Sequence, residues 1–119
     1  YAEGHNLLGN LLDEQGKTDE AAVEFAEAIR LQPDEAVWHA DLGALLAEQG
    51  RLGEAVARLT DAVRLNPAYG QAHTNLGIVL AQQGKFEEAM THFSEAARLN
   101  PDDPQALANF QRALAQLKR

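Results

Sequence analysis

An all-α solenoid of stacked antiparallel helix pairs is what this sequence predicts. Pro33, Pro67 and Pro101 stand 34 residues apart, and superposing residues 2–35, 36–69 and 70–103 leaves twelve columns identical in all three copies. Within each copy the apolar residues step by three, four and seven, the spacing of a helix face rather than of a strand. Gly16, Gly50 and Gly84 interrupt the pattern midway through each copy. A fixed period of this length marks units that stack, because no single unit can bury its apolar face alone. It also turns the search for function toward a surface before a cleft.

The first helix of each copy is expected near 2–15, 36–49 and 70–83, with Leu8 and Leu12 and their equivalents on its stripe. Gly9, Gly43 and Gly77 fall inside these helices, where glycine costs about 1 kcal/mol against alanine. Ala21, Ala55 and Ala89 on the facing helix suggest the reason: small residues let two backbones approach. Gly16, Gly50 and Gly84 close the first helices by taking positive φ. The second helices, near 18–31, 52–65 and 86–99, open with acids and close with Arg30, Arg64 and Arg98, as the helix dipole favours. Each arginine follows an acid by three residues (Glu27, Asp61, Glu95), a pair worth a few tenths of a kcal/mol. Gln32, Asn66 and Asn100 end these helices, since a residue before proline avoids the α region. Residues 104–119 begin a fourth first helix with a stripe of Leu107, Phe110, Leu114 and Leu117. Gln111 stands in the glycine column, which is tolerable where no second helix follows, so this segment reads as a cap.

These residues resemble the tetratricopeptide repeat family. The pattern His5…Leu8-Gly9…Leu12…Ala21…Phe25…Ala28…Pro33 recurs as His39…Leu42-Gly43…Leu46…Ala55…Leu59…Ala62…Pro67 and as His73…Leu76-Gly77…Leu80…Ala89…Phe93…Ala96…Pro101. Histidine replaces the commonest tryptophan, and leucine replaces tyrosine. The resemblance implies one domain over 1–119: repeats 2–35, 36–69 and 70–103 and a capping helix 104–119, wound as a right-handed solenoid. The run Ala72-His73-Thr74-Asn75-Leu76-Gly77 looks most like repeats that precede protein O-glycosyltransferase domains and repeats of bacterial scaffold proteins.

Composition narrows the function classes. The chain has 119 residues, no cysteine and a net charge of −8. That charge argues against phosphate-neutralising contact with nucleic acid. No apolar run approaches the ~20 residues of a membrane helix, and no leader peptide is visible. A chain that opens on Tyr1 and enters its first repeat directly reads as a processed protein or an excised fragment with something upstream. A cytoplasmic setting is the default expectation. The charge is uneven: −7 in residues 2–35, −1 in 36–69, −3 in 70–103 and +3 in 104–119. One reading is a solvated surface. The other is a preference for basic partners near the N-terminal end, or head-to-tail association of copies.

The resemblance places a concave groove along the first helices, where this family takes peptides or extended protein segments. By that register the candidate groove residues are Asn6, Asn10, Asp41, Gln71, Thr74, Asn75, Asn109 and Arg112. Asp41, Asn75 and Asn109 share a column. In glycosyltransferase-type repeats an asparagine column here holds the backbone of a bound peptide, and a carboxamide can donate and accept at once. Leu7 breaks the column and Asp41 can only accept, so polar residues that merely solvate a concave face are the other reading. The carboxylate clamp of chaperone-binding members is not expected. Its positions are held by Asn6, Asn10, Asp41, Gln71 and Asn75, with no cation among them. The small residues Ala40, Ala44, Ala47 and Ala81 suit an amphipathic helix or a basic extended segment.

The histidine column His5, His39, His73 does not suggest a metal. Packed helices lie about 8–10 Å apart, too far for Zn–N bonds of about 2.0–2.1 Å. Packing between helices is expected instead; His92 reads as isolated and exposed, and Trp38 as packed between the first two copies. Catalysis finds no support. Ser94 is the only serine, and Glu87 and Glu88 point about 100° apart on a helix. The expectation is a protein–protein interaction or scaffold module, not an enzyme, without cofactor or metal, binding protein or peptide. The alternative is a substrate-recruiting segment of a larger enzyme such as a protein glycosyltransferase.

Overall fold

A computed structural model describes all 119 residues. It consists of seven helices and no strand: α1 (Ala2–Glu14), α2 (Thr18–Leu31), α3 (Ala36–Glu48), α4 (Leu52–Leu65), α5 (Gly70–Gln82), α6 (Phe86–Leu99) and α7 (Pro104–Leu117). Each helix packs on the next in chain order, and α3, α5 and α7 also touch in succession. The result is an elongated solenoid of helix pairs, 46 × 25 × 21 Å. No helix is long and apolar enough to cross a membrane.

The turn within each pair is one motif made three times. Gly16, Gly50 and Gly84 have φ of +79°, +79° and +80°. The N–H of the following residue reaches back to Leu12, Leu46 or Leu80, each at 2.9 Å. The glycine N–H bonds Asp13, Ala47 or Ala81 at 2.9–3.0 Å. This 6→1 plus 5→2 pairing satisfies carbonyls that the helix end would otherwise leave open. The second helices stop on Gln32, Asn66 and Asn100, whose ψ of 85°, 90° and 78° departs from helix just before proline.

The core runs along the axis as a continuous string. Ala21, Ala55, Ala62, Leu59 and Ala89 are wholly buried, and Phe25, Leu76 and Phe93 nearly so. The interior glycines face the large members of this string more closely than the alanines opposite them. A Cβ on Gly9 would stand 2.7 Å from the Phe25 ring, one on Gly43 2.6 Å from Leu59 Cγ, and one on Gly77 2.5 Å from the Phe93 ring. The Ala55 carbonyl also stands in that shell, at 3.4 Å from the Gly43 position. Glycine thus makes room for a bulky side chain from the second helix, which is why the 25/59/93 column can be large.

The cap differs from its expected stripe. Ala106, Asn109 and Ala113 are buried, whereas Leu107 and Leu117 are 53 % and 41 % exposed. Leu107 occupies the histidine column. The exposed acid–arginine pairs are present as expected: Arg30–Glu27, Arg64–Asp61 and Arg98–Glu95. Solvated pairs of this kind contribute little.

Candidate functional site

The first helices α1, α3, α5 and α7 share one wall, and clefts open between successive members of it. Between α3 and α5 lies a cleft of about 210 Å³ lined by Ala44, Ala47, Asn75 and Ile78 among others. Between α5 and α7 lies a second, of about 300 Å³, with Asn109 and Arg112 on its rim.

The eight residues expected to line the groove fall into four groups. Asn10 Nδ2 lies 3.4 Å from Asn6 Oδ1 on α1. Asn6 itself is buried, and its Nδ2 completes no hydrogen bond. Its amide does lie against Asp41 on α3. Burial pushes the Asp41 carboxyl above its ordinary range, Asn6 partly opposes the shift, and Asp13 adds to it by repulsion. On α5, Gln71 donates to Asn75 Oδ1 at 3.0 Å, and Thr74 stands half-buried beside them. On α7, Gln105 donates to Asn109 Oδ1 at 2.9 Å, and Arg112 Nη1 approaches the same oxygen at 3.4 Å. Asn109 is buried, with its Nδ2 unpartnered.

Asp41, Asn75 and Asn109 therefore stand on α3, α5 and α7 without bonding one another. In both asparagines the oxygen is engaged by a glutamine one turn earlier. What remains for a ligand is chiefly the amide N–H side, a donor set, with the Asp41 carboxylate as acceptor.

The histidine column turns out to be structural in a way the residue spacing hinted at. His39 Nε2 lies 2.8 Å from the Pro33 carbonyl, and His73 Nε2 lies 2.9 Å from that of Pro67. The imidazole N–H donates to the proline turn six residues earlier, tying each first helix to the turn that precedes it. His5 pairs with Glu24 at 2.6 Å. His92 is not isolated: its ring stacks on His73, with centroids 5.3 Å apart and Nδ1 atoms 3.1 Å apart. With His73 donating from Nε2, its Nδ1 accepts, and His92 supplies the proton between them. Burial, then repulsion from His73, holds the His92 pKa below its ordinary value. No three metal-ligating side chains converge.

The Phe86 and Phe93 contribution to the α5–α7 cleft was not foreseen. Phe93 is buried in the core and Phe86 is half-buried, and both also wall this cleft. The signal was available: phenylalanine at 86 stands where the other copies carry Thr18 and Leu52.

A family model described as tetratricopeptide repeat matches residues 6–57 and 41–104. A search of curated proteins finds no match. Among solved structures, the first TPR of Spaghetti (RPAP3), bound to the HSP90 peptide SRMEEVD, superposes with a TM-score of 0.95 at 23 % identity, over 99 % of this chain and 94 % of that one. The Arabidopsis OM64 TPR domain gives 0.89 at 21 % identity, covering 94 % and 93 %. The MamA protein gives 0.94 at 20 % identity, covering 98 % of this chain and 64 % of its own. Likeness at these identities speaks for the fold alone.

Proposed function

The chain belongs to the tetratricopeptide repeat family, and from that premise we propose a protein–protein interaction module whose wall of first helices holds an extended or helical peptide segment. The observation that carries this reading is the buried, unpartnered amide donor on that wall, Asn109 Nδ2. A buried donor left unpaired costs about 1–3 kcal/mol, and a peptide carbonyl would satisfy it. The whole chain acts as one such module, and catalysis is no part of the reading. The Spaghetti repeat binds an HSP90 peptide. Here the positions that would meet an acidic tail carry Asp41 and no cation, so a basic segment is preferred over α1 and α3.

The test is selection of a random peptide library on the immobilised chain. Enriched peptides should lose about tenfold in affinity on the Asn75→Ala plus Asn109→Ala variant, with helicity by circular dichroism retained. Val23→Asp plus Thr91→Asp, on exposed second-helix positions, should bind as wild type. Failure to enrich any peptide would reject the proposal, as would binding lost only in the second variant.

A second reading concerns the ends. Leu8 and Leu11 are 42 % and 52 % exposed, whereas their equivalents Leu42, Leu45, Leu76 and Val79 are no more than 7 % exposed beneath the preceding helix pair. Together with the −7 and +3 charges of the two ends, this supports head-to-tail association of copies. Sedimentation at high concentration and low salt should show it, and a monomer there would reject it.

A further inference from the structure

The binding wall is not uniform in chemistry. Asp13, Asp41 and Glu48 lie on α1 and α3, α5 contributes no charge, and Arg112 on α7 is the only cation among the groove columns. Arg112 and Arg119 are the two of the seven arginines without an ion pair. Arg30, Arg51, Arg58, Arg64 and Arg98 each pair with an acid three residues away. Arg112 has none: α7 contains no acid, and the only polar contact of its guanidinium is Asn109 Oδ1 at 3.4 Å.

Arg112 stands at the rim of the 300 Å³ cleft between α5 and α7. Ile78, Ala81, Phe86 and Phe93 form its apolar wall, and Asn109, 5 % exposed with an unpartnered Nδ2, lines it beside Arg112. A site of this volume is at the small end for ligands, which suits one large side chain rather than a whole small molecule. An aromatic or branched side chain there would cover the phenylalanine edges. A carboxylate next to it would reach Arg112, which has no acid partner of its own.

We propose that this cleft is the anchoring subsite for a bulky apolar side chain flanked by a carboxylate, and that it sets the polarity of the bound segment along the wall. The inference rests on the peptide-binding reading above and adds the partner's chemistry to it. The partner carries an apolar residue and an adjoining acid over α7 and a basic residue over Asp41. A cation near Asp41 would also relieve the half-buried Asp41 carboxylate, which Asp13 repels. From α3 to α7 is two helix spacings, about 20 Å at ~10 Å each, or about six residues of extended chain. The acid and the base on the partner are therefore about six residues apart. A purely acidic tail would meet Asp41 and a purely basic one would meet Arg112, so a segment of mixed sign fits best.

Two probes test the cleft itself: N-acetyl-phenylalanine, and its uncharged carboxamide. Titrated into the intact chain and followed by amide resonances in ¹⁵N NMR, the acid should bind in the millimolar range and shift Ile78, Asn109 and Ala113. Arg112→Gln should weaken the acid about fivefold and leave the carboxamide unchanged. Ala81→Leu, which fills the cleft, should abolish both. Equal effects of Arg112→Gln on acid and carboxamide would overturn the charge pairing, and shifts elsewhere on the surface would overturn the site. Polarity is tested with ten-residue peptides bearing Phe-Asp and Lys-Lys six residues apart, in both chain directions, against versions with the spacer cut to two. The longer peptide of at least one direction should bind at least tenfold tighter, and indifference to spacing would overturn the polarity. If library peptides bind the wall yet ignore Arg112→Gln, the interaction module stands and this subsite falls. If no peptide binds the wall while the fragments occupy the cleft, the reverse holds.

Discussion

Gly43→Ala isolates the contact on which the stacking depends. A methyl added there would stand 2.6 Å from Leu59 Cγ and 3.1 Å from Leu59 Cδ2. Carbon atoms attract best at about 3.5–4.0 Å, so something must move by about 1 Å. Leu59 is fully buried and so is Ala55 behind it, which leaves no direction of easy escape. Overpacking of this kind costs about 1–3 kcal/mol, while replacing a mid-helix glycine with alanine returns about 1 kcal/mol. The net expectation is a loss of about 1 kcal/mol. Gly53→Ala is the control, because its added methyl meets nothing within 4 Å; in the first turn of α4 it should gain about 0.5 kcal/mol. Urea unfolding followed at 222 nm, with unchanged m-values, should separate the two by about 1.5 kcal/mol, or about 6 °C in Tm at the entropy expected for this length. In a Leu59→Ala background the sign should reverse, and Gly43→Ala should stabilise by about 1 kcal/mol. A Gly43→Ala variant as stable as Gly53→Ala would refute the close-approach account, and so would a cost unaffected by Leu59→Ala.

Gly50→Ala should cost about 1 kcal/mol although its methyl would meet nothing within 4 Å, because its φ of +79° is left-handed; equilibrium unfolding measures it. The histidine pair should make stability fall with acid. The folded pKa of His92 is depressed, so its contribution is present above the ordinary value of about 6.5 and is lost as pH drops through the folded value. Unfolding free energies from pH 7.5 to 5 should therefore decline more in wild type than in His92→Phe, and parallel curves would exclude the pair as the cause. His73→Phe should cost about 1 kcal/mol in urea unfolding, the typical value of one net hydrogen bond, because it removes the donor to the Pro67 carbonyl.

Much of this architecture was legible without coordinates. Left-handed glycine, the conformational limit before proline and helical apolar spacing are local rules, so the helix ends at Glu14, Glu48 and Gln82 fall one residue from where they were expected. Repetition strengthened each rule threefold. The groove residues were legible only as positions on a wall. Their partners were not: Gln71 and Gln105 take up the asparagine oxygens, and burial falls on Asn6 and Asn109 but spares Asn10. A register says which side a residue faces but not which neighbour reaches it first. His92 shows the same limit, since its partner His73 is 19 residues away on another helix.

The sequence by itself determined the unit, its turns, its stops and the fact that units must stack, because each of these follows from backbone preferences and apolar spacing within a single repeat. Only the tertiary structure decided which large side chain fills the space above each glycine, which imidazole nitrogen meets which carbonyl, and that α5, α6 and α7 enclose a cleft beside an unneutralised arginine. Those outcomes depend on distances between helices, and helix-to-helix distance is set by the joint packing of side chains from several segments, a quantity that no one segment carries.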